Sequence, residues 1–89
     1  MNAIFPPAAK APAPAPGVKN WEYFEYADDL LARRDANNPL MLHEVWYPAK
    51  ACWETDYDGA RFAFTAQKID NPREYAARNP SAARAFATP

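Results

Sequence analysis

Apolar positions between Trp21 and Arg34 recur at spacings of three and four. Tyr23, Phe24, Ala27, Leu30 and Leu31 fall on one stripe, and Glu22, Glu25, Asp29 and Arg33 on another. That period predicts an amphipathic helix. Asn20 precedes it as an N-cap, acids fill its early turns, and Arg33 and Arg34 close it, in keeping with the helix dipole. Asp35-Ala-Asn-Asn-Pro39 then ends the segment with turn formers.

Beyond Pro39 the period shortens. Leu40 to Tyr47 is apolar and β-favourable, with apolar residues on both faces. Ala51 to Tyr57 alternates, with Ala51, Trp53, Thr55 and Tyr57 against Cys52, Glu54 and Asp56. Asp58-Gly59 reads as a hairpin turn into a third strand, Arg61 to Gln67, in which Phe62, Phe64 and Ala66 share a face. The expectation is a three-stranded antiparallel meander with the first helix laid across one face. After Ile69, Asn71-Pro72-Arg73-Glu74 supplies an N-cap, a proline at the first helical position and a glutamate at the third. It predicts a short helix through Arg78. Asn79-Pro80 repeats the device before a second piece, Ser81 to Ala87. Tyr75 and Phe86 are the large apolar anchors of this tail, and whether it packs on the core stays open.

Ahead of these elements lies MNAIFPPAAKAPAPAPGV, with five prolines between Pro6 and Pro16. Pro and Ala lack the apolar bulk to offset ordering, and each proline removes a donor and biases its predecessor towards extended geometry. The predicted organisation is α+β: an extended Pro/Ala-rich arm over 1–19, a small core over 20–70 and a C-terminal helical tail over 71–89.

With the arm set aside, about 70 of the 89 residues remain for a core, a size of marginal stability without help. One cysteine, Cys52, excludes an intramolecular disulfide, and one histidine, His43, leaves no Cys/His cluster for structural zinc. Partner binding is the remaining help. Three tryptophans, five tyrosines and five phenylalanines exceed what a small core hides completely. The expected partner-binding set is therefore Trp21, Tyr26, Trp46, Trp53 and Tyr57, together with Phe5, Pro6, Pro7, Pro12, Pro14 and Pro16 of the arm. No apolar run approaches the roughly 18 residues of a membrane span, and the start lacks the pattern of a signal peptide. A soluble protein of the cytoplasm or of a virion is expected.

The net charge of −1 conceals an asymmetry. Between Asn20 and Asp58, nine acids face three bases, a net −6; from Gly59 onward the balance is +3, and Lys10 and Lys19 add +2. A dedicated nucleic-acid binder would carry a basic stripe instead, so the distribution suits pairing with another protein or with copies of the chain.

Candidate chemistry fares poorly. Glu54-Thr-Asp56-Tyr-Asp58-Gly59 imitates the start of a calcium loop, but its twelfth position falls on Thr65 rather than glutamate. The same acids, side by side on one strand, do not face each other across a cleft as catalytic carboxylates must. His43 and Cys52 would approach if the first two strands paired, yet Tyr47 breaks the HExxH pattern and Cys52 belongs to no nucleophile motif. With only Gly17 and Gly59 available, no phosphate loop forms. The chain is read as a non-enzymatic accessory or structural subunit without cofactor or metal. It would dock on a larger assembly, a virion or a multisubunit complex, through its arm and its aromatic surface. The alternative is a small acidic inhibitor that presents Glu22, Glu25, Asp28, Asp29, Glu54, Asp56 and Asp58 to a basic surface, in imitation of nucleic acid.

Overall fold

A computed structural model describes residues 18–89, apart from the Asp28 side chain. The fold is α+β, with one five-stranded antiparallel sheet and three short helices. The strands are β1 (Trp21–Tyr26), β2 (Leu30–Asp35), β3 (Glu44–Tyr47), β4 (Cys52–Thr55) and β5 (Gln67–Lys68). The helices are α1 (Gly59–Thr65), α2 (Pro72–Arg78) and α3 (Ala83–Ala87). In space the strands run β4-β3-β2-β1-β5.

The expected helix over Trp21–Arg34 is instead the β1–β2 hairpin, paired from Trp21 with Asp35 to Tyr26 with Leu30. Its reversal is a 3-10 turn, Ala27–Asp29, ending with Asp29 in the left-handed region at φ 62°. That is the geometry of a three-residue hairpin loop, and aspartate tolerates the left-handed position better than most residues. Aromatic residues at Trp21, Tyr23, Phe24 and Tyr26 favour the pleated arrangement, because each finds cover above or below the sheet.

Both faces are covered, which explains why one strand carries two sets of apolar residues. On the first face Phe24, Tyr26, Ala32 and Val45 pack beneath Phe62 of α1, with Leu30 and Ala66 at the margin. Phe24 and Phe62 meet edge to face at 5.0 Å. On the second face Leu31 and Trp46 pack with Ile69, Ala82 and Ala85, joined by Tyr23, Trp53, Tyr75 and Phe86. The C-terminal helices therefore close this face. Phe86 sets its edge on Tyr23 at 4.7 Å, and the Trp53 indole N–H donates to the Ala85 carbonyl at 3.1 Å.

Two further sequence expectations change. Leu40 to Tyr47 contributes only β3, since a turn at Asn38 to Leu40, closed by Met41 N–H to the Asn38 carbonyl at 2.9 Å, keeps Leu40, Met41 and Leu42 off the ladder. Asp58-Gly59 opens a helix, not a hairpin: the Asp58 carboxylate accepts from the Arg61 N–H at 2.9 Å, and α1 replaces the expected third strand. This helix spans the first face, carrying the chain from the β4 edge to β5 at the opposite edge. The Ala51–Tyr57 strand survives as β4, and the Asn71-capped helix forms as expected, with the Asn71 side chain accepting from the Glu74 N–H at 3.1 Å. Asn79-Pro80 opens a 3-10 turn, Pro80–Ala82, that runs into α3.

Candidate docking surface

Of the residues expected to bind a partner, Phe5, Pro6, Pro7, Pro12, Pro14 and Pro16 lie outside the described residues. Tyr26 and Trp46 are buried in the two apolar clusters and present no contact surface. Trp21 and Trp53 are half-buried because both pack against Arg33, whose guanidinium carbon lies 3.7 Å from the Trp21 ring centre and 4.4 Å from that of Trp53. Among the described residues of the set, only Tyr57 stands exposed. The rings that suggested an interface chiefly serve the interior.

The sequence pattern places Arg33 on the polar stripe with Glu22, Glu25 and Asp29, yet it is 3% exposed. Strand alternation turns it inward beneath the tail. Its Nε donates to Glu44 at 2.7 Å and its Nη1 to the Thr88 carbonyl at 3.0 Å, so the buried charge is paired and tied to the end of α3. The group holds the C-terminal helices on the sheet.

A second buried polar group centres on His43. Its Nε2 lies 2.7 Å from Asp56 Oδ2, which also accepts from the Tyr26 hydroxyl at 2.9 Å, while the imidazole stacks on Phe62 at 4.1 Å. Burial raises the Tyr26 pKa first and the hydrogen bond to Asp56 adds to it, carrying it to about 12. Burial works against ionised Asp56, but the bonds from His43 and Tyr26 prevail and hold its carboxyl below its ordinary value. The two strands that could have brought His43 to Cys52 do pair, but the register keeps the two residues apart. Cys52 pairs with Tyr47 at the far end of the β3–β4 ladder, whereas His43 flanks Glu44 at the near end. Burial pushes the Cys52 thiol up, and its hydrogen-bond partner is Glu54 at 3.6 Å. Among the described residues, no three His, Cys, Asp or Glu side chains converge as metal ligands.

The acids proposed as a charged surface have largely local roles. Glu22 pairs with Lys68 at 3.1 Å and Arg34 at 3.6 Å, Glu54 with Lys50 at 3.2 Å, and Asp56 with His43, while Asp58 caps α1. Glu25 and Asp29 are exposed on the rim of a recess of about 320 Å³. Beside them Tyr75 has its hydroxyl pKa raised, first by burial and then by Glu25. Only backbone placement is described for Asp28.

The surface that sequence reasoning missed is aliphatic. Leu40 is 99% exposed, Met41 57% and Leu42 46%. Three consecutive large apolar residues in water are uncommon on a small domain, and such patches mark contact sites. Beside them runs a cleft of about 360 Å³ between this loop and α1. Its cause lies in composition: Gly59, Ala63 and Ala66 give the helix wall little bulk, and a side-chain carbon added at Gly59 would meet nothing within 4 Å. Phe24 and Phe62 form the floor, and Pro39, Met41 and Leu42 form the opposite rim, with Arg34 and His43 also lining it. The available sequence signal was Asn38-Pro39, a turn ahead of a non-alternating apolar run. No protein-family model, no curated protein and no solved structure matches the chain. Among the described residues, no helix is long and apolar enough to cross a membrane.

Proposed function

We propose that the chain is a non-enzymatic accessory or structural subunit that docks on a larger protein assembly, a virion or a multisubunit complex. The observation that carries this reading is the exposed run Leu40-Met41-Leu42 beside an apolar-floored cleft. The contact surface differs from the aromatic one that composition suggested, but its logic is the same: apolar area left in water is stabilised when a partner covers it. The pairing of Glu22, Glu54 and Asp56 with basic neighbours weakens the acidic-inhibitor alternative.

The test uses the full chain as bait in an extract of its native source. The bound partner is expected to remain through a wash of high ionic strength and to be lost with the double variant Leu40→Ser/Leu42→Ser. Both side chains face water, so the variant should fold as the parent does. Retention by the variant, or release by salt alone, would count against apolar docking.

A further inference from the structure

The cleft and a segment that would fill it belong to one chain. Ile4-Phe5-Pro6-Pro7 is the apolar stretch of residues 1–17 that carries large side chains, and the Pro/Ala sequence follows it. We infer that the arm tip, through Ile4 and Phe5, occupies the cleft between the 39–42 loop and α1 of a second copy, giving an arm-exchanged dimer. This rests on the docking role proposed above and names its partner.

The argument begins with the root of the arm. The Asn37 side chain donates to the Val18 carbonyl at 3.2 Å, and the Asn20 N–H donates to Asp35 at 3.0 Å. The arm thus leaves the domain beside the turn whose next residues, Pro39 to Leu42, line the cleft. The root contacts Asn37, two residues ahead of Pro39 on the cleft rim. From Phe5 to Val18 a chain in polyproline geometry spans roughly 40 Å, at about 3.1 Å per residue. A proline-rich spacer of that length delivers its tip away from its own root, so reaching the chain's own cleft would require a reversal within the spacer. Delivery to another molecule requires none.

The same adjacency explains why the assembly closes. If the arm of one copy ends in the cleft of its partner, the partner's arm starts beside that cleft and points back along the same line. Two antiparallel arms then satisfy both clefts under one two-fold axis, and no open filament grows. Size agrees. A cleft of about 360 Å³ is near the lower end of small-ligand sites, suited to one or two large side chains rather than to a folded surface.

Sedimentation of the full chain across a concentration series tests the inference. A reversible monomer–dimer equilibrium is expected. Ile4→Ser/Phe5→Ser, which leaves residues 18–89 untouched, should raise the dimer dissociation constant about a hundredfold or more, because four apolar side chains, two from each arm, are lost per dimer. Ala63→Gln, on the exposed wall of α1, should do the same by filling the cleft with an amide. An equimolar mixture of the two variants retains one intact tip and one intact cleft, so a heterodimer should form more readily than either homodimer. A chain that is monomeric throughout, or a dimer indifferent to the tip substitutions, would overturn the arm exchange. If the monomeric chain still captures another protein through Leu40 and Leu42, the docking role stands while arm exchange falls. Dimerisation without capture of another protein gives the reverse.

Discussion

Arg33 and Arg34 are neighbours in sequence, and their replacement separates the hairpin from the helix that the sequence pattern suggests. In β2 they point to opposite faces. Arg33 is buried between Trp21 and Trp53, pairs with Glu44 and reaches the Thr88 carbonyl, whereas Arg34 is half-exposed, with Glu22 at 3.6 Å. Each ring contact of a partly buried guanidinium contributes about 1 kcal/mol. A charge-assisted hydrogen bond contributes about 1.5 kcal/mol or more, and the pair with half-buried Glu44 about 1 kcal/mol. Because these share one side chain and are not additive, Arg33→Ala is expected to cost about 3 kcal/mol.

A domain of this size has roughly 7 kcal/mol in total. With a urea slope of about 1 kcal/mol/M, the midpoint of unfolding should fall by about 3 M. Tryptophan fluorescence reports both the transition and the environment, since Trp21 and Trp53 flank the guanidinium. Arg34→Ala should cost under about 1 kcal/mol, and Arg33→Lys about 2 kcal/mol, because lysine keeps the charge but not the planar fork. On a solvated helix face, Arg33 and Arg34 would give equal and small effects. Equal midpoints for the two alanine variants would therefore refute the buried-arginine account.

Three other outcomes follow from the same geometry. Phe62→Ala should destabilise by about 3 kcal/mol and Phe64→Ala by less than about 0.5 kcal/mol, because the first is 8% and the second 88% exposed; comparable losses in thermal melts would argue for a strand at Arg61–Gln67. The raised Tyr26 pKa stabilises the fold fully below pH 10 and is lost as pH rises towards about 12, so urea midpoints should fall across that window and fall less in Tyr26→Phe. Asp35 has its pKa lowered, first by the Asn20 N–H and then by Asn38 and Asn37, so its contribution is present above about pH 4 and lost below its folded value; Asp35→Asn should flatten the acid limb measured from pH 4 to pH 2.

The α+β class, β4, α2 and its Asn71 cap were legible because each depends on local signals: alternation, a cap residue, a proline at the first helical turn. The β1–β2 hairpin was not, and the reason is the two-sided cover. Where both faces are buried, Tyr23 and Phe24 are both apolar though they point in opposite directions, and the resulting pattern coincides with a helical stripe. Arg33 compounds the error, since a buried charge cannot be distinguished by type from a solvated one. For Arg61–Gln67 the alternation of Phe62, Phe64 and Ala66 was coincidental, because Phe64 faces water. The better signal was Asp58 as a cap ahead of Ala60 and Ala63, good helix formers on the surface of α1.

Two-sided cover also explains why the proposed contact surface is aliphatic rather than aromatic. A small sheet closed by α1 on one side and the C-terminal helices on the other needs large side chains on both faces. Nine of the twelve rings in residues 18–89 are accordingly buried or half-buried, leaving Tyr47, Tyr57 and Phe64 exposed. The consecutive large aliphatic residues in water belong to a stretch that the Asn38–Leu40 turn prevents from joining the ladder. The ladder resumes at Glu44, and Leu40, Met41 and Leu42 are left with neither strand partner nor helix cover. Deepening the cleft by a bulkier loop would bury them, but the short side chains of α1 keep it open. An intramolecular solution would require a large residue at Ala63, in place of the small one that leaves the cleft open. The proposed docking therefore depends on what the fold leaves uncovered, and an excess of aromatics is evidence about the interior.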